Sequence, residues 1–178
     1  MARSNLNKLM IFDIILEKGV LFMKSIDDEK FMIEAINQAK IAYDLNEVPV
    51  GCVIVKNKKI IAKAYNSVEK DNNALMHAEI KAINEASQVI KNFRLDGCTM
   101  YVTLEPCVMC TGALVYSRIS RIVFGSYDKK RGACGSLMSL NNYEGLNHKI
   151  EVESIMQDEC LDLLQSFFRR IREENKDK

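Results

Sequence analysis

The sequence predicts an α/β fold, a mixed sheet with helices on both faces. Three observations carry that prediction: a β-rich hairpin spans residues 51–65, strand and helix alternate after it, and an amphipathic helix stands on either side. In chain order, Asp27, Asp28 and Glu29 make an acidic helix start. Phe31, Met32, Ala35, Ile36, Ala39, Ala42 and Tyr43 follow at helical spacing as far as Leu45. Residues 51–55 and 60–65 are β-rich runs joined by Lys56, Asn57, Lys58 and Lys59, a hairpin pattern. A polar loop, 66–73, leads to a helix over 74–90 with Ile80, Ala82, Ile83 and Ala86 on one face. Residues 99–104 read as a strand. Pro106 stands where the next helix would begin, since its missing N–H is not needed there, and that helix runs over 107–116. Residues 121–125 are a strand, 129–135 a glycine-containing loop, 150–154 a last short strand and 158–174 a final amphipathic helix. No internal repeat is present.

The 178 residues suit one domain, and 48% hydrophobic with 28% charged residues excludes a disordered chain. Lys+Arg 25 against Asp+Glu 24 leaves a formal charge of +1, so a nucleic-acid partner must be held by local basic patches. No uncharged apolar stretch reaches the roughly 20 residues that span a bilayer, so no membrane association is expected. Residues 9–23 lean apolar, but Asp13, Glu17 and Lys18 interrupt them and no small-residue cleavage site follows. A reducing cytoplasmic setting is expected, in which closely spaced cysteines point to metal or catalysis before disulfides. Residues 1–22 read as an extension detached from a single domain at 23–178. Two readings of the extension stay open. One is a helix over 6–16 packed on the domain. The other is a native start at Met23, preceded by the purine-rich codons that Glu17, Lys18 and Gly19 require, as a ribosome-binding site would be. Mass spectrometry that finds Met1 on the untagged native protein excludes the second.

Two local features carry chemistry. His77, Ala78 and Glu79 lie at a predicted helix start, and Pro106-Cys107-Val108-Met109-Cys110 opens the next helix. Positions i and i+3 share a helix face, so Cys107 and Cys110 can reach one ion. A helix N-terminus favours the thiolate that a metal requires. Two thiolates and a neutral imidazole suit Zn2+, and three protein ligands leave one position open, the pattern of a catalytic site. Glu79, two residues from His77, is placed to act as a base beside the ion without ligating it; acid–base help of that kind is worth on the order of 10²–10⁴ in rate. A Cys-x-x-Cys pair alone also fits a redox couple or half of a structural zinc knot. A knot needs a fourth ligand, from His148, Cys52, Cys98, Cys134 or Cys160, and none of these is paired at short spacing. Those four cysteines read as small buried hydrophobes.

At these residues the chain resembles the zinc cytidine and deoxycytidylate deaminase superfamily, with its His-x-Glu and Pro-Cys-x-x-Cys pattern. The match is closer to the bacterial tRNA-specific adenosine deaminases. It runs through Glu47-Val48-Pro49-Val50-Gly51, His77-Ala78-Glu79-Ile80, residues 94–110 (RLDGCTMYVTLEPCVMC), Ser117-Arg118-Ile119, Val123-Phe124-Gly125 and Gly135-Ser136-Leu137-Met138, and it extends from Asp28 to Arg172. The resemblance implies a three-layer α/β/α cytidine-deaminase-like fold around a mixed five-stranded sheet. It implies hydrolytic deamination of the wobble adenosine of a tRNA anticodon to inosine, with an arginine tRNA as the expected carrier. It further implies one Zn2+ per subunit on His77, Cys107 and Cys110. In the family's chemistry, hydroxide attacks C6 while Glu79 moves the proton to N1 and then to the leaving ammonia. By the same match Asn66 hydrogen-bonds the flipped base, Val50 and Leu104 wall its pocket, and Asp128 lies near the RNA backbone and sugar. The C-terminal helix, with Phe167, Phe168, Arg169 and Arg170, helps hold the splayed loop, and the enzyme is a homodimer. The sequence departs from the family's pattern at Ser126-Tyr127, ahead of Asp128, where some relatives have a small residue and then arginine. It departs again at Cys134, where a small residue such as alanine is expected.

Composition adds its own pointer to RNA. Residues 118–131 hold five basic side chains and one acidic, and residues 169–178 hold five and three. Of Phe167 and Phe168, one is expected in the core and one is available to stack on a base. The rivals are a zinc deaminase of a free base or nucleotide (guanine, cytosine, dCMP), a non-catalytic zinc module that binds RNA, and a redox protein using Cys107 and Cys110. Activity on free base alone marks the first. A Glu79→Ala variant of full activity marks the second, and purified protein without zinc marks the third.

Overall fold

The computed structural model describes residues 14–17, 20–23 and 26–176. Strands β1 (Ile14–Glu17) and β2 (Val20–Met23) pair antiparallel as a sheet of their own. The helix read over 6–16 therefore ends in a strand, and residues 6–13 lie outside the described residues. The main chain of elements is α1 (Ile26–Asp44), β3 (Gly51–Lys56), β4 (Lys59–Tyr65), α2 (Ala78–Ile90), β5 (Cys98–Leu104), α3 (Val108–Tyr116), β6 (Arg121–Ser126), β7 (Glu151–Ser154) and α4 (Gln157–Glu174).

The five strands lie in the order β4-β3-β5-β6-β7. The hairpin and the β3–β5 pair are antiparallel; β5–β6 and β6–β7 are parallel. The sheet is mixed, as the hairpin followed by strand–helix–strand alternation requires. Asn57 and Lys58, both at positive φ (49° and 60°), make the tight two-residue hairpin turn.

Period-two alternation sorts the strands' side chains onto two cores. Cys52, Ile54, Met100, Val102, Ile122 and Phe124 face α2 and α3, where Ala78, Ala82, Ala86 and Leu114 meet them. Val53, Val55, Tyr101 and Val123 face the other way and pack on Phe31, Met32, Ala35 and Ile36 of α1 and Cys160 of α4. Each large side chain buried here contributes roughly 1.5–3 kcal/mol. At Gly51 the approach of α1 leaves no room for a side chain: a Cβ would stand 2.1 Å from the Ala35 carbonyl oxygen. The Gly51 N–H donates to Thr103 Oγ1 at 3.1 Å, which aligns the start of β3 with the end of β5.

Most element starts fall within one residue of the sequence reading, and two helix starts show why they lie where they do. Helix α2 begins at Ala78, not residue 74, because the preceding segment has its own bonds: Leu75 N–H donates to Asn73 Oδ1 and Met76 N–H to the Asn73 carbonyl. Pro106 lies ahead of the α3 cap rather than at its first turn. Its carbonyl accepts from Ala133 N–H (2.8 Å) and Thr111 Oγ1 (3.2 Å), which ties the helix start to the loop after β6.

Candidate active site

Two helix starts meet at one end of the sheet. His77 caps α2 and Cys107 caps α3, both in extended conformation, and neither uses its side chain to bond its own helix. Imidazole and thiol are thereby left for each other. His77 Nδ1 lies 3.4 Å from Cys110 Sγ and 3.8 Å from Cys107 Sγ. Among the described residues this is the one group of three His, Cys, Asp or Glu donors gathered so closely, within 4.8 Å of one another. Such separations are the edges of a tetrahedron built on metal–ligand bonds of about 2.0–2.3 Å, so the donor set fits a zinc ion. No disulfide joins the two cysteines, and His148 is elsewhere, with Nε2 2.6 Å from the Ile119 carbonyl.

The pair of thiols shares a proton unevenly. Cys107 is lowered to about 4, first by a hydrogen bond from Cys110 and then by His77, against burial. Cys110 is raised by the same bond and by burial. His77 is raised, chiefly by its bond to Cys107. Glu79, 4% exposed, is raised above the ordinary carboxylate range by burial, its largest influence. The carboxyl sits beside Cys110, facing the same cavity as His77 and Cys107.

That cavity measures about 260 Å³ and is also lined by Val50, Asn66, Leu104 and Asp128, so four of the residues singled out for the substrate line it. Phe168 and Arg169 do not line it. Phe168 borders a neighbouring groove of about 670 Å³ between α4 and residues 126–131, which shares Leu104, Asp128 and Arg131 with the cavity. Arg169 stands farther along α4 with Gln165 and Arg172. Phe167 is the core member of its pair, 4% exposed against 41% for Phe168.

The expected basic patches are smaller than their residue counts. Arg121 is turned inward, its guanidinium forked onto Asp28 (2.8 and 2.9 Å) and bonded to Glu153. Arg170 packs over the Tyr43 ring at 4.2 Å and donates to Asn46 Oδ1, fastening α4 to α1. Lys129, Lys130 and Arg131 remain beside the groove.

Two cavity residues escaped the sequence reading of roles. Glu47 and Glu105 are buried carboxylates, each ringed by donors from a loop. Glu47 accepts from Asn66 Nδ2, Glu69 N–H and Lys70 N–H. Glu105 accepts from the N–H groups of Asp128, Cys134 and Ser136 and from the Ser136 hydroxyl. Both stand in the motifs that carry the resemblance, which was the available signal.

The profile of the MafB19-like deaminase family matches residues 26–172. A tRNA-specific adenosine deaminase of Bacillus subtilis (strain 168) is 47% identical over 150 residues, covering 84% of this chain and 93% of that protein. The chain belongs to the tRNA-specific adenosine deaminase family. A member from Aquifex aeolicus is 44% identical over 144 residues, 81% of this chain and 95% of its own. A solved structure from studies of A-to-I editing by tRNA:A34 deaminases superposes with a TM-score of 0.73 at 34% identity, covering 76% of this chain and 99% of its own. The cytidine-deaminase-like three-layer fold expected of the family is the fold observed. In this deaminase His77, Cys107 and Cys110 converge, with Glu79 beside them.

Proposed function

We propose that this chain hydrolyses the wobble adenosine of a tRNA anticodon, with an arginine tRNA as carrier, to inosine and ammonia. The observation that carries the reading is a buried carboxyl group beside a His–Cys–Cys donor set, at a cavity that adjoins a groove bordered by Lys129, Lys130 and Arg131. His77, Cys107 and Cys110 would hold one Zn2+ per subunit. When bound, the ion supplies the Lewis acidity that makes water a competent nucleophile near neutral pH.

The chain's own residues do the rest. Glu79 takes one proton of the attacking water to N1 of the base, then carries the second, from the hydroxyl newly bonded to C6, to the departing amine, so that ammonia leaves and N1 keeps its proton. Its burial raises its proton affinity, which suits a group that must both accept and release. Asn66 hydrogen-bonds the base, Val50 and Leu104 clasp its faces, and Asp128 stands near the sugar and backbone. Phe168, in the groove, offers a ring to a neighbouring base, and Arg169 offers charge farther out.

The enzyme acts as a cytoplasmic homodimer in this reading; exposed Tyr116 on α3 and Phe93 after α2 supply apolar surface for a second copy. Residues 23–178 form the deaminase domain and 1–22 an extension. Among the described residues no helix is long and apolar enough to cross a membrane.

The deciding experiment incubates the zinc-loaded protein with an anticodon stem-loop bearing adenosine at the wobble position and reads inosine by sequencing. Guanine, cytosine and dCMP run alongside. Conversion of the stem-loop supports the reading; turnover of a free base alone overturns it.

A further inference from the structure

Glu47 stands 1% exposed between α1 and β3, with no basic side chain paired to it among the described residues. Its oxygens are met by donors from a single loop. Oε1 accepts from Lys70 N–H at 2.6 Å; Oε2 accepts from Glu69 N–H at 3.3 Å and from Asn66 Nδ2 at 3.1 Å. Asn66 is itself buried, yet it borders the catalytic cavity. Both oxygens of Glu47 thus accept from backbone N–H groups, and Oε2 also faces the nitrogen end of the Asn66 amide. The two ends of an amide are nearly the same in shape and opposite in hydrogen bonding. Whatever holds one end therefore decides what the other offers to a base.

We propose that Glu47 is a positioning residue: it fixes the orientation of the Asn66 amide, and so the hydrogen-bonding pattern that the cavity presents to the base. The inference rests on the proposed function, since it assumes that Asn66 meets the substrate. Glu47→Gln keeps the volume but supplies an acceptor and a donor, so the amide of Asn66 can settle either way round. Coordination by His77, Cys107 and Cys110 lies outside this contact.

The test is a double-mutant cycle on the zinc-loaded protein, with inosine formation in the stem-loop as readout and zinc content and unfolding midpoint recorded for every variant. Glu47→Gln alone is expected to lower kcat/KM about 10- to 100-fold with zinc retained. In an Asn66→Ala background the same change is expected to cost less than about twofold, because the residue it acts through is gone. Equal losses in both backgrounds overturn the proposal. A second pair guards against an unstable Glu47→Gln. Asn66→Asp sets two acceptors against each other, and adding Glu47→Gln supplies the missing donor. Recovery of about tenfold or more over Asn66→Asp supports the proposal, and no recovery overturns it. A wild-type chain that forms no inosine overturns the proposed function, and this inference with it; an active wild type with additive variants overturns the inference alone.

Discussion

Glu79 and Glu105 are the same side chain, both almost fully buried, both facing one cavity, and they live in opposite circumstances. Glu105, at the β5–α3 junction, is saturated: three backbone N–H groups and a hydroxyl converge on it from residues 128–136. Glu79, in the first turn of α2, is raised above the ordinary carboxylate range by burial. The oxygens of Glu105 are spent on holding one loop in place, whereas burial beside the His–Cys–Cys group favours the protonated form of Glu79. In the proposed function the first carboxyl is structural and the second is chemical.

The sharpest way to break that distinction is to exchange the charges for amides. Glu79→Gln should lower inosine formation by on the order of 10²–10⁴, measured as single-turnover rate, while zinc content holds and the unfolding midpoint does not fall. Glu105→Gln should do the reverse. It turns a donor toward donors, and the chain should lose about 1–3 kcal/mol of stability in urea titration while the chemical step in the surviving fold drops far less. Comparable rate losses in the two variants would erase the distinction.

The loop that Glu105 gathers gives a gentler probe. Gly132 lies against the carboxylate, where a Cβ would stand 2.3 Å from its oxygen and 2.6 Å from the Asp128 carbonyl. Gly132→Ala should push the loop outward at a cost of about 1–3 kcal/mol. The KM for the stem-loop should rise more than kcat falls. The smallest effect is expected at Arg131, which borders both cavity and groove. Arg131→Ala should weaken stem-loop binding a few-fold and reduce the slope of log K against log salt by about one, leaving single-turnover chemistry alone.

What could be read in advance follows from distance along the chain. His77 with Glu79, and Cys107 with Cys110, are two and three residues apart, so each pair is legible as a short motif, whereas the 30 and 33 residues between His77 and the cysteines are bridged only by the fold. A mixed sheet was likewise legible from the hairpin and the strand–helix alternation, but the strand order was not, since the antiparallel β3–β5 pair is made across the whole of α2. Glu47 and Glu105 were silent because their donors lie 19 to 31 residues away, and an isolated glutamate ordinarily reads as surface. Arg121 reads as a free cation for the same reason: Asp28, which captures it, is 93 residues distant. The early start given to α2 was a failure of propensity. Ala74, Leu75 and Met76 are good helix formers, but Asn72 at φ 47° and the grip of Glu47 on Lys70 keep the chain irregular until His77.

The Asn66 loop and the 128–136 loop hang from separate carboxylates, Glu47 and Glu105, yet each is also bonded to a helix start that carries the donor set. Ser67 N–H donates to the Met76 carbonyl, next to His77, and Ala133 N–H to the Pro106 carbonyl, next to Cys107. A lineage that reshapes either loop therefore also tugs on the donors beneath it, so drift of preference and inheritance of chemistry are physically coupled.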